Sequence, residues 1–273
     1  MARQVEEAYV VAAARTAVAK RRGAFRHERP DNLLAHVIRG ILAQVPSVDP
    51  GEIGDVITGC ANPEAEQGLN VSRVGTLLAG LPARVPAFTV SRLCSSGLQA
   101  VALAADRIRL GEANVMLACG TESMSIMPTL SGNKWIVNPA WLTDKRTEAV
   151  AYGMGLTAER VAERWRVSRD AQDVFAAESH RRALAAIAAG HFRDEILPYT
   201  VRVQVPGADG RSQMTERLFD TDEGPRSDTN VAALAKLKPI FAAGGTVTAG
   251  NSSQMSDGAG AVLLGKTNMD EFA

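Results

Sequence analysis

The chain has 273 residues, with 30 Lys and Arg against 30 Asp and Glu, so nothing global draws it to nucleic acid or to an anionic membrane. Its apolar runs stop well short of the roughly 20 residues that a membrane span needs, and acidic residues stand where a signal peptide would be apolar. Three cysteines far apart suggest no disulfide framework, so a reducing cytoplasm is the expected compartment.

Tyr9 to Ala14 reads as a buried strand. The basic loop after it contains Lys20, Arg21 and Arg22, a solvated turn or a place for an anion. Asp31 stands at the head of DNLLAHVIRGILAQV, an amphipathic helix that it would cap. Asp55 to Cys60 is a second strand, and Asn70 to Leu81 a second helix.

Next comes Pro86 to Arg109, where an extended run, Ala87 to Val90, gives way to a helix. Leu98, Val101, Ala102, Ala105 and Ile108 recur at three- and four-residue spacing. Between them lies Cys94-Ser95-Ser96-Gly97, with either serine suited to cap the helix. A cysteine there faces unpaired N–H groups and the positive end of the helix dipole. Its thiol is expected to ionise below the free value of about 8.5, which suits a nucleophile. The plainer alternative is a small buried apolar residue, and that reading fits Cys60 and Cys119, which end apolar strand-like runs. For Cys94 both stay open at this point.

Asn114 to Cys119 is another strand. The rhythm of strands and helices to this point predicts an α/β fold, with a largely parallel sheet and helices on its faces. Reactive groups in such folds gather beyond the carboxyl ends of the strands. After Glu122, residues 123–142 read as loop, followed by helices from Leu156 to Trp165 and from a Ser168 cap to Gly190. Tyr199 to Val205 reads as a strand, 220–230 as a charged loop and 232–241 as a short helix. A glycine-rich loop then leads to a strand from Ala259 to Gly265, which should rejoin the first sheet. The expected domains are a core of 1–121 with a return segment 246–273, and an inserted lobe of 122–245. His27, His36, His180 and His191 show no spacing that brings them to Cys94, and no metal-binding motif is present, so no metal site is expected.

VSRLCSSGLQA resembles the segment around the nucleophilic cysteine of the thiolases, which make or cleave 3-ketoacyl-CoA. CGTESMS resembles their GGxExMS segment, and ARTAVAKRRGAF their RTPxGxxxGxF start, with Ala17 where proline is usual. EQGLNVSR resembles a segment near the family's dimer interface. AYGMGLTAE, SRDAQDVFAAESHRRA, DEGPRSDTN and GTVTAGNSSQMSDGAGAVLL resemble its CoA-binding lobe and return strand. The resemblance runs in order along nearly the whole chain. The AYGMG and DEGPR forms lean towards degradative 3-ketoacyl-CoA thiolases.

The resemblance implies a thiolase-like layered α/β half-fold with a mixed, mostly parallel sheet and an inserted loop domain. It implies an acyltransferase in which Cys94 attacks the 3-keto carbon and holds the acyl group until a second CoA removes it. It implies Met154, Ala249 and Ser253 on the pantetheine arm and Arg226 near the nucleotide. Without the family, Met154 and Ala249 read as packing, Ser253 as loop capping and Arg226 as a solvated charge. CoA and acyl-CoA are the implied substrates, with no bound cofactor and a homodimer or tetramer as the assembly. The family's second half supplies an asparagine in NEAF, a histidine in GHP and a cysteine in CxG; none of the three motifs occurs here. The expectation is therefore an N-terminal half with its CoA lobe, lacking the catalytic C-terminal half. It would be weak alone, completed by a separate half or by another chain. Two alternatives stand beside it: a non-catalytic acyl-CoA-binding module, and a ketoacyl-synthase-like condensing enzyme, which TAGNSSQMSDGAG and the long lobe disfavour.

Overall fold

The computed structural model describes residues 5–126, 138–147, 149, 152–206 and 211–267. Part of the loop expected over 123–142 therefore lies outside the described residues. Two compact units emerge.

The first unit comprises the described residues up to 126, with 192–223 and 255–267. Its strands are β1 (Tyr9–Arg15), β2 (Ala19–Lys20), β3 (Ile53–Gly59), β4 (Ala87–Val90), β5 (Val115–Ser123), β6 (Tyr199–Pro206), β7 (Ser212–Phe219) and β8 (Ser256–Gly265). Its helices are α1 (Pro30–Gln44), α2 (Val71–Leu78) and α3 (Ser96–Arg109). The main sheet runs β1-β8-β5-β3-β4, with the short β2 also on β8. β4, β3 and β5 pair in parallel, while β8 runs antiparallel to both β5 and β1. β1 therefore points the same way as β3, β4 and β5, and β8 alone of the long strands is reversed. The sheet is mixed and mostly parallel, as expected, and the last strand does rejoin it.

Residue alternation along the strands sorts the core into two layers. Val56, Leu117 and Leu263 pack under α1 with Leu33, Leu34, Val37, Ile38 and Ile41. Ile57, Met116, Ala118 and Leu264 face α3, meeting Ala100, Ala104 and Ile108. Small residues on that second face let the α3 backbone lie close to the sheet.

Several boundaries differ from expectation. Asp31 is not the cap of α1: Pro30 opens the helix, and the Asp31 carboxylate instead binds Arg29 at 2.7 Å and the Asn32 N–H at 2.9 Å. Proline suits a first helical position, where its missing N–H costs nothing. The inserted lobe is smaller than 122–245, because 192–223 belongs to the first unit. There β6 and β7 form a hairpin in register from Tyr199 with Phe219 to Pro206 with Ser212. One physical reason is Arg15 of β1, which binds Glu195 and Asp222 at 2.8 Å each; another is Phe25 of the basic loop. Tyr199 and Phe219 meet its ring edge-on, with centroids 5.4 and 4.9 Å apart, and the Tyr199 hydroxyl donates to Glu28 at 3.0 Å. Residues 246–254, expected in the return segment, belong to the second unit.

His36 of α1 meets the Tyr199 ring edge-on at 5.0 Å. Burial pushes its pKa below the ordinary value. The unfolded chain takes up the proton at about 6.5, the folded chain only lower. The stability tied to neutral His36 is thus full above about pH 6.5 and declines as pH falls through that value toward the folded one. The urea midpoint should drop between about pH 7.5 and 5.5, and drop less in His36→Phe.

The second unit comprises the described parts of 138–191 with 224–254. It contains α4 (Ala140–Thr143), α5 (Met154–Trp165), α6 (Arg169–Ala188) and α7 (Val231–Ala235). Ser168 caps α6, its hydroxyl accepting the Ala171 N–H at 3.2 Å. The helix expected over 232–241 stops at Ala235. Pro239 bars its continuation by restricting the residue before it. Among the described residues no helix is long and apolar enough to cross a membrane.

Candidate functional site

Cys94 stands between β4 and α3, exposed to solvent, whereas Cys60 and Cys119 are buried. The turn that places it is tight. Leu93, just before it, has φ 48°, in the left-handed region that a branched apolar residue seldom adopts. Such a conformation persists only where its surroundings enforce it. Here the Ser95 N–H donates to the Arg92 carbonyl at 3.1 Å, and the Ser96 N–H to the Leu93 carbonyl at 3.0 Å. The buried Ser96 hydroxyl accepts the Arg92 N–H at 2.8 Å and donates to the Leu93 carbonyl at 2.5 Å. Ser95 occupies the cap position without a side-chain cap bond. The serine that organises this elbow is thus Ser96, acting backwards on the turn.

Two neighbours hold the elbow from below. Gly59 ends β3 directly under the start of α3, and a Cβ there would come closer than 3.0 Å to the backbone of Ser96 and Gly97. The Cys60 N–H donates to the Val90 carbonyl at 3.1 Å, and the Ser91 hydroxyl to the Ala61 carbonyl at 3.2 Å. The loop after β3 is in turn fixed by Glu122 of β5. Its carboxylate accepts the Ala61 N–H at 2.7 Å, an Asn62 N–H at 3.4 Å and a short bond from Gln67, which is fully buried. The Cys60 thiol donates to the same carboxylate at 3.8 Å. Burial, with the Glu122 charge beside it, pushes that thiol up to about 12. Burial likewise raises Cys119. Neither buried thiol is suited to ionise near neutral pH.

An open groove of about 330 Å³ runs beside α3 on the sheet face that this helix leaves bare. Gly97 and Val101 of α3, Ala13 of β1, Ala118 and Gly120 of β5 and Val262 of β8 line it.

The other four residues singled out all lie in the second unit. Met154 is the first residue of α5 and is 71% exposed. Ala249 and Ser253 are exposed in the loop before β8. Arg226 pairs with Asp228 at 2.7 Å, and its N–H donates to Nδ1 of His180 at 3.1 Å. Hydrogen bonding to Asp228 raises the Arg226 pKa, but an exposed pair of this kind stabilises little. The sequence reading missed Leu93, Gly59 and Gln67. A glycine closing a buried strand was the one visible hint, at Gly59. Among the described residues no three His, Cys, Asp or Glu gather as a metal ion would need.

Fold and site define a class: layered α/β proteins that present an exposed cysteine on a strand-to-helix elbow, with a mostly helical second unit. A family model described as the thiolase N-terminal domain matches residues 8–268, and the chain belongs to that family. A 3-ketoacyl-CoA thiolase of Bacillus subtilis (strain 168) is 45% identical over 261 residues, covering 95% of this chain and 66% of the relative. A peroxisomal 3-ketoacyl-CoA thiolase of Arabidopsis thaliana is 42% identical over 265 residues, covering 97% and 57%. A solved structure, the Bacillus anthracis acetyl-CoA acetyltransferase, superposes with TM-score 0.80 at 32% identity, covering 97% of this chain and 66% of that one. The chain thus spans about 57–66% of the length of these relatives.

Proposed function

We propose that the chain is the nucleophile-bearing part of an acyltransferase that cleaves 3-ketoacyl-CoA with CoA, or runs the reverse condensation. Cys94 attacks as thiolate at the 3-keto carbon. The bond between C2 and C3 breaks, its electron pair leaving as the enolate of acetyl-CoA, which takes up a proton. The acyl group stays on Cys94 as a thioester. A CoA thiolate then attacks that carbonyl and returns the electron pair to the Cys94 sulfur.

The observation that carries this reading is the exposed Cys94 at the start of α3 while the other two thiols are buried. The Cys94 N–H donates to no acceptor among the described residues and is available to a developing oxyanion. Met154, Ala249 and Ser253 are assigned to the pantetheine arm and Arg226 to the nucleotide, supported by their exposure. The NEAF, GHP and CxG motifs are not in this sequence, so the proton transfers are assigned to groups outside it. Their help is typically worth about 10²–10⁴-fold in rate.

A thiolase C-terminal half is the proposed cover for the groove beside α3, whose small residues admit close packing. A homodimer or tetramer is the proposed assembly, supported by β4 at the sheet edge and by Leu69, 93% exposed in EQGLNVSR. The proposed compartment is a reducing one, the cytoplasm, which keeps Cys94 free.

Incubation with acetyl-CoA should add one acetyl group by intact mass, absent in Cys94→Ala. An added thiolase C-terminal half should then restore thiolysis of acetoacetyl-CoA. CoA binding with no adduct and no restored thiolysis would favour the non-catalytic acyl-CoA-binding module, a reading the missing motifs support.

A further inference from the structure

Residues 246–254 form no helix or strand, yet Ala249 and Ser253 stand on them. A glycine-, serine- and threonine-rich segment left to itself would sample many backbone states, and a ligand would have to order it. In the second unit this loop is gripped at two places by carboxylates from different helices. Glu159 of α5 accepts the Val247 N–H at 2.9 Å and the Thr246 N–H at 2.9 and 3.0 Å on its two oxygens. It also accepts the Thr246 hydroxyl at 3.2 Å. Gly245 permits this approach, because a Cβ there would run into the Glu159 carboxylate. Asp173 of α6, 1% exposed, accepts the Asn251 side-chain N–H at 2.9 Å and is held by Arg169 at 2.8 Å. Asn251 in turn accepts the Thr248 N–H at 2.7 Å.

We infer that Glu159 and Asp173 are positioning residues for CoA: the two carboxylates fix 246–251 in the shape that presents Ala249 and Ser253, an inference resting on the proposed pantetheine contact of those two residues. The grips leave Ala249 exposed between them. Every group that reaches Glu159 is a donor, so an acceptor without a donor of its own is required there. Burial alone would raise the Glu159 carboxyl, but the Thr246 and Val247 donors outweigh it and hold it below the usual range. The anchor is therefore charged at neutral pH.

The test uses the whole chain, titrated by calorimetry with CoA and with adenosine 3′,5′-bisphosphate, which has the nucleotide end and no pantetheine. Amide exchange of 245–251 is followed in parallel. Glu159→Gln should weaken CoA about tenfold, leave the bisphosphate unchanged and speed exchange at Thr246 and Val247. Asp173→Asn should do the same with its exchange effect centred on Asn251, and it carries the test if Glu159→Gln fails to fold. Glu163→Gln, a surface change on the same helix, should alter nothing. Unchanged exchange in both anchor variants, or an equal loss of both ligands, overturns the inference. A wild-type chain that binds no CoA overturns the pantetheine reading and this inference falls with it; slowed exchange over 245–251 would then separate that result from a failure of the anchors.

Discussion

Iodoacetamide at about pH 8 is expected to modify Cys94 and leave Cys60 and Cys119 untouched, and Cys94→Ala to abolish the modification. The thiolate is the reacting species, so rate follows ionisation and access together. Burial and the neighbouring Glu122 charge push Cys60 up to about 12, well above that pH, so very little of it is thiolate. Its sulfur is also covered, at 1% exposure, and Cys119 is covered at 3%. Cys94 is held in solvent by the elbow. The ratio of first-order rates, read by peptide mass mapping, should exceed about 10³. A fast Cys60 or Cys119, or a silent Cys94, would remove the basis for placing the acyl group on Cys94.

That contrast among three thiols was legible before any coordinates, since CSSG differs in kind from the apolar runs ending at Cys60 and Cys119. So was most of the first unit. β3, β5, α1 and α3 announce themselves by apolar period, because each buries one or both faces in the core. β7 does not. Seven of its eight residues are exposed, so no alternation marks it, and pairing with β6 alone makes it a strand. The membership of 192–223 in the first unit rests on Arg15 and Phe25, whose partners lie far along the chain and leave no period to betray them. The elbow was legible as a strand-to-helix junction but not as a strained turn, because leucine is no marker for positive φ. Glu159 and Asp173 were invisible for another reason. Their partners lie 87 and 78 residues away in sequence, and helix-surface charges are ordinarily solvated.

Gly59→Ala is the single methyl with the largest expected effect on the site. Gly59 lies in β3 between Val90 of β4 and Gly120 of β5, paired with both, so the strand cannot slide aside. Alternation from Ile57 aims its missing side chain at α3. The atoms it would meet are the Ser96 carbonyl group and the Gly97 nitrogen, backbone with no rotamer to escape into. Either α3 lifts or the sheet bends, and overpacking of this kind costs about 3 kcal/mol. The expected fall in Tm is about 6–12 °C. Lifting the first turn of α3 also pulls on the Ser96 hydroxyl, which holds Leu93 at its positive φ. The elbow should relax, and the acetyl adduct on Cys94 should form about 10²-fold more slowly. Gly97→Ala supplies the contrast, since a Cβ at that position meets nothing within 4 Å. Alanine favours a helix over glycine by about 1 kcal/mol, so that variant should melt no lower than the wild type. Equal melting of the Gly59 and Gly97 variants, with adducts formed at equal rates, would show that the elbow does not rest on the end of β3.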